Sequence, residues 1–226
     1  MTEKHGIAQP VRRREDVRFL TGQGRFADDV GCDGQVHAAF VRSSVAHGTI
    51  LNIDATSAIA APGVVAVFTG DDLAAAGVGH IVARWPKYQS AQIQSARPLH
   101  TPRPGLAQGK VRHVGEVVVL VLAQTQAQAR DAADLVILDI AELPAAITIA
   151  DAVAPDAPLV WEDAPGNIGQ VWHRGDKDAA DLAFAEAAHV SRLSLVNNRI
   201  VAAPLEPRTS IADWNEEKGR FTLVAS

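Results

Sequence analysis

VRHVGEVVVLVLAQTQAQARDAADLVILDIAELPA, residues 111–145, decides the fold. Its centre, VVVLVLA (Val117–Ala123), is an unbroken apolar run that reads as a buried strand and falls far below the ~20 residues needed to cross a bilayer. Thr125 is a hydroxyl N-cap for a helix over about Gln126–Asp134, a stretch rich in alanine and glutamine. LVILDI (Leu135–Ile140) is a second strand, ended by Glu142-Leu143-Pro144. The whole is one compact strand–helix–strand unit.

The same unit occurs upstream. TILNID (Thr49–Asp54) reads as a strand, and ATSAIAA (Ala55–Ala61) as a short helix closed by Pro62-Gly63. VVAVFTG (Val64–Gly70) is the next strand, after which Thr69 caps a helical turn at Asp71-Asp72-Leu73. Before them, the Val36/Ala38/Phe40 alternation in GQVHAAFVRSS (Gly34–Ser44) reads as another strand. Two such units are expected to share one mixed sheet with helices packed on a face, an α+β fold. Gly77–Lys110 has no sustained period and is assigned no secondary structure. A loop of that length is functional or lies against a partner.

Downstream, residues 146–167 are proline-rich and read as a linker. IGQVWHRGD then reads as a strand, DKDAADLAFAEAA (Asp176–Ala188) as an amphipathic helix and HVSRLSLVNN as a strand. IADWNEEKGRFTLVAS reads as a hairpin turned at Asn215–Gly219. This block has strands but few places to bury them, so it is read as the opening of an incomplete second α+β domain. The strand FTLVAS (Phe221–Ser226) is expected to continue into further polypeptide, since an open strand edge is a liability.

The chain has 226 residues, 47% hydrophobic and 21% charged, with a formal net charge of −5. That balance supports a packed core and supplies no basic field for a nucleic-acid backbone. Arg12-Arg13-Arg14 belongs to an irregular, solvated arm over residues 1–18. A single cysteine, Cys32, excludes an internal disulfide and multi-cysteine clusters within the chain. MTEKHGIAQP has no apolar core for a signal peptide, which makes the cytoplasm the default compartment.

Residues able to do chemistry are scattered. The eight histidines (5, 37, 47, 80, 100, 113, 173, 189) show no metal-ligand spacing. Gly22-Gln23-Gly24 lacks the preceding strand and following helix of a dinucleotide loop. Cys32 sits in a turn between Gly31 and Asp33, and Asp28-Asp29 and Asp71-Asp72 read as turn and cap residues. Arg42-Ser43-Ser44 and His47 read as a turn held by side-chain hydrogen bonds. Gly115 suits a bulge or a close backbone approach. Arg199, Glu206 and Arg208, set among apolar residues, are expected to form an ion pair at a domain junction. No catalytic, cofactor-binding or metal-binding residue is assigned.

Five stretches in order carry a resemblance: RREDVRFLTGQGRFADDV (Arg13–Val30), FVRSSVAHGTILNID (Phe40–Asp54), PGVVAVFTGDDL (Pro62–Leu73), VRHVGEVVVLVLA with ARDAADLVILDIAELPA, and NNRIVAAPLEPR (Asn197–Arg208). Together they resemble the N-terminal part of the molybdenum-binding large subunit of the xanthine dehydrogenase, aldehyde oxidase and aerobic carbon monoxide dehydrogenase family. The resemblance implies an α/β hammerhead domain at residues 19–145 and the start of a molybdopterin-binding domain at 168–226, with Leu205 where methionine is common. It also implies that the strand at FTLVAS leads towards a Thr-Gln pair near the metal, beyond Ser226.

The implied role is scaffold for an enzyme that oxidises or hydroxylates an aldehyde, an N-heterocycle or carbon monoxide, with this chain inactive by itself. Molybdenum–molybdopterin would belong to the complete enzyme, and FAD and 2Fe–2S clusters to partner subunits. The implied partners are the remainder of the molybdenum subunit, the FAD-binding subunit and the iron–sulfur subunit. Two other readings stay open: a stand-alone hammerhead-type assembly module, and a small-molecule enzyme using Gly77–Lys110 as a lid.

Overall fold

A computed structural model describes residues 13–81, 93–95, 101–169, 172–198, 200–204 and 206–226. Most of the N-terminal arm, His5, His100, Trp85, Tyr88, Arg199 and Leu205 lie outside the described residues. In chain order the elements are α1 (Asp16–Leu20), β1 (His37–Arg42), β2 (Gly48–Asp54), α2 (Thr56–Ile59), β3 (Val64–Thr69), α3 (Gly70–Ala75), β4 (Ile93–Ser95), β5 (Lys110–Val111), β6 (Val117–Ala123), α4 (Gln126–Ala133), β7 (Ile137–Glu142), α5 (Ile149–Ala152), β8 (Trp172–Arg174), α6 (Lys177–Glu186), β9 (Ser210–Asn215) and β10 (Arg220–Ala225). The class is α+β, as the sequence implies. The chain divides into two compact units, Val36–Arg192 and Met1–Gln35 with Leu193–Ser226.

In the first unit, the expected single mixed sheet is replaced by two three-stranded antiparallel sheets, ordered β1-β6-β3 and β5-β2-β7. Each strand–helix–strand unit sends one strand to each sheet: β2 and β7 to one, β3 and β6 to the other. For β2 and β3 the reason is connection length. Residues 55–63 join β2 to β3, fewer than the dozen or so that a parallel crossover in one sheet requires. Exchanging strands between sheets lets α4 lie across β1 and β6 and shield the centre of the first sheet.

Within this unit the core forms where the two strand–helix–strand segments interlock. Val111, Val118, Val119 and Val121 are each 0% exposed, clustered with Ala107 and Ala132 and flanked by Val41, Ile50, Val67 and Ile140. β6 is central in its sheet, so its valines are covered from more than one side, and an apolar run replaces alternation. Thr125 caps α4 by accepting a hydrogen bond from the Gln128 N–H, and Thr69 caps α3 reciprocally with Asp72.

Gly77–Lys110, assigned no element from sequence, contains β4, which pairs antiparallel with β8. A three-residue strand is too short to show a period. The segment 146–167, read as a linker, carries α5 with a Thr148/Asp151 capping box and a 3-10 turn at Pro165–Asn167.

In the second unit, α1 precedes a 3-10 turn at Ala27–Asp29, and the Phe19 and Phe26 rings stack with centroids 5.8 Å apart. The expected β9–β10 hairpin forms, with Asn215 opposite Arg220, and Trp214 packs on Phe221 at 4.5 Å. β9 lies against the turn at 27–29. HVSRLSLVNN does not form the expected strand. Its apolar residues suit a strand, but a strand exists only in a ladder, and no described residue pairs with it. Leu193, Leu195 and Val196 are instead 82%, 79% and 84% exposed.

Candidate functional site

Most residues weighed as chemical candidates hold the backbone in place. Asp29 accepts from the Phe26 N–H at 2.9 Å. Asp72 accepts from both the N–H and the hydroxyl of Thr69 at 2.7 Å, and these two bonds hold its carboxyl below the usual range. Cys32 is exposed in a turn closed by Gln35.

The turn after β1 is held by side chains, as expected. The Ser43 hydroxyl donates to the Val45 carbonyl and accepts from the Val45 N–H. Arg42 donates to the Gly115 carbonyl at 2.8 Å. The His47 ring is buried, with Nδ1 2.8 Å from the Pro144 carbonyl oxygen. Since that oxygen can only accept, Nδ1 carries the proton, and Nε2 is left buried without a described partner. Gly115 has φ +86°, and a Cβ there would meet nothing within 4 Å. Its need for glycine is therefore conformational, and no close approach is involved.

Arg199, one partner of the ion pair expected at Glu206, lies outside the described residues, and Glu206 makes a further contact. Its Oε1 accepts from the backbone N–H of Ala27 at 2.8 Å, joining the N-terminal turn to the region of the hairpin. Sequence offered no signal for this, because a backbone donor leaves no mark on residue type.

Sequence reasoning also missed a cluster at the end of β5. Arg112 lies 3.7 Å from the centroid of Trp161, and its backbone N–H donates to Glu116. Lys110 pairs with Glu162 at 2.6 Å. Burial pushes the Arg112 guanidinium pKa down, while Glu116 and then Glu162 act in the opposite sense. The Lys-x-Arg spacing was visible, but nothing in sequence tied it to a tryptophan far along the chain.

A cleft of about 390 Å³ opens between β2 and the start of α3, lined by residues 50–53 and 69–71 with Ala107 and Gly109. Asp71 is the only ionisable side chain in that lining. Among the described residues, no group of three or more His, Cys, Asp or Glu could hold a metal ion, and no helix is long and apolar enough to cross a membrane.

Family models match the chain in two consecutive blocks. The a/b hammerhead domain of aldehyde oxidase and xanthine dehydrogenase matches residues 21–144, and the molybdopterin cofactor-binding domain matches residues 160–226. The chain belongs to the aldehyde oxidase and xanthine dehydrogenase family. Within the family, it is 37% identical to the nicotine 6-hydroxylase large subunit of Paenarthrobacter nicotinovorans, over 97% of this chain and 26% of that protein. It is 33% identical to the carbon monoxide dehydrogenase large chain of Afipia carboxidovorans, over 96% of this chain and 27% of that one. The solved quinoline 2-oxidoreductase of Pseudomonas putida 86 superposes with a TM-score of 0.75 at 33% identity, over 99% of this chain and 27% of that structure. The chain thus spans about a quarter of the length of the relatives it matches.

The second matched block is named for a molybdopterin cofactor. Between Leu193 and Ser226 most described side chains face solvent, and among the described residues no group of three or more His, Cys, Asp or Glu could hold a metal ion. The described residues do not by themselves fit the group, and no chemical step is derived through it.

Proposed function

We propose that this chain supplies the hammerhead and the first segment of the molybdopterin-binding domain of a molybdenum hydroxylase large subunit, as structural scaffold, and is catalytically silent alone. The observation that carries this reading is the contrast between match and packing. The block matched to molybdopterin-binding domains leaves Leu193, Leu195, Ile200 and Val201 at 82%, 79%, 85% and 92% exposure. A run of uncovered apolar residues of that kind marks a surface built to be covered. The completed enzyme would act on an aldehyde, an N-heterocycle or carbon monoxide. Its partners would be the rest of the molybdenum subunit, an FAD-binding subunit and a 2Fe–2S subunit, in the cytoplasm.

The test uses the purified chain. Its molybdenum, iron and flavin contents are measured, and dye reduction is assayed with aldehydes, N-heterocycles and carbon monoxide. The expected result is no stoichiometric cofactor and no turnover. Stoichiometric molybdenum or reproducible turnover overturns the scaffold reading. Co-expression with the polypeptide that completes a large subunit should yield one co-purifying complex, and separate elution counts against it.

A further inference from the structure

We propose that residues 146–169 are a fixed strap of the hammerhead, clasped at the end of β5 by Lys110 and Arg112, and that this clasp fixes the first residues of the block matched to molybdopterin-binding domains, which begins at residue 160, against the hammerhead. The strap is anchored at both ends. At its start, the Leu143 N–H donates to the His47 carbonyl, and His47 Nδ1 donates to the Pro144 carbonyl at 2.8 Å. Near its end, the Arg112 guanidinium lies 3.7 Å from the Trp161 ring centroid, and Lys110 Nζ meets Glu162 at 2.6 Å. Arg112 is itself held, because NH1 donates to the Lys110 carbonyl at 3.2 Å.

The strap is also knotted internally. The Asn167 side chain accepts from the Val160 N–H at 2.8 Å and donates to the carbonyls of Ala152 and Pro158 at 2.8 and 3.0 Å. Asn167 adopts φ +55°, a conformation that asparagine tolerates better than most residues. Ala164 is 2% exposed, within a segment whose composition alone reads as linker. A true linker makes few contacts along its length. This one spends an aromatic ring, a guanidinium and a three-bond amide on staying in place. A planar guanidinium over an indole is the best pairing for such a clasp, since it stacks as well as carrying charge.

Amide exchange on the full chain tests this without a variant. Val160 N–H, bonded to Asn167, and Ala164 N–H, bonded to the Trp161 carbonyl at 2.9 Å, should exchange on the slow timescale of α4. Exchange at the rate of an unstructured peptide overturns the strap. In a folded Arg112→Ala chain, exchange at both amides should rise roughly tenfold, with α4 unchanged. Arg112→Lys, which keeps charge but loses the planar stack, should fall between. Unchanged protection in Arg112→Ala overturns the clasp. Should Arg112→Ala fail to fold, Trp161→Phe reads the same pairing through a smaller, roughly threefold rise.

Discussion

Val118, Val119 and Val121 are 0% exposed, whereas Val196 and Val201 are 84% and 92% exposed. The residue type is the same and both stretches are rich in apolar side chains, but their surroundings differ. β6 lies between β1 and β3 with α4 across it, while residues 193–198, 200 and 201 have no described ladder partner. An apolar run is thus a demand for burial, and topology decides whether the chain meets that demand. The first unit meets it internally, and in the second most of these apolar side chains stay exposed.

The sharpest way to break this comparison is a matched pair of aspartates. Val121→Asp places an unpaired carboxylate in the core and should cost about 4 kcal/mol or more, enough to prevent folding of a marginal domain. Val201→Asp should change stability by less than about 0.5 kcal/mol. Urea melts of the two chains decide, and a large loss in Val201→Asp would mean that this segment is packed after all. Next in size, Gly115→Val should cost about 1–2 kcal/mol by forcing a β-branched residue to φ +86°. Gly79→Val, in open space at ordinary φ, should cost far less. Equal melting temperatures would remove the conformational argument.

Thr125→Ala should lose about 1 kcal/mol, through the cap that positions α4 over the valines. An unchanged melting temperature would contradict it. The smallest effect is with pH. Asp72 has its pKa lowered by Thr69, so its contribution is fully present above the ordinary carboxylate value of about 3.9 and disappears as pH falls through the depressed folded value. A Thr69→Val chain should show a shallower loss of stability over that acid range, and identical acid limbs would refute the assignment.

The elements themselves were legible where chemistry is local. Thr125 and Thr69 announced their helices, Val117–Ala123 announced its strand, and Asn215–Gly219 its hairpin. What stayed hidden depends on distant pairs. The division into two sheets follows from which strand meets which. The Ala27–Glu206 bond and the Arg112–Trp161 stack join residues far apart in sequence, with no periodic signature. HVSRLSLVNN carried a strand's composition without a strand's neighbour. Candidate chemistry read correctly as turns and caps at Asp29, Ser43 and Asp72, because short polar side chains near their own backbone bond locally.

The exchange of strands between sheets also sets a timetable for synthesis. In one sheet the central strand, β6, is the last of the three to emerge from the ribosome, and in the other the central strand, β2, is the first and must wait for β5 and β7. The β1-β6-β3 sheet cannot close until about residue 123 is free, and the β5-β2-β7 sheet until about residue 142, so the nascent chain carries β1 and β3 unpaired through much of its translation. Such non-local pairing slows folding and lengthens the exposure of strand edges. Rare codons or a chaperone-binding stretch after residue 69 would therefore alter the yield of this domain more than the same change after residue 145.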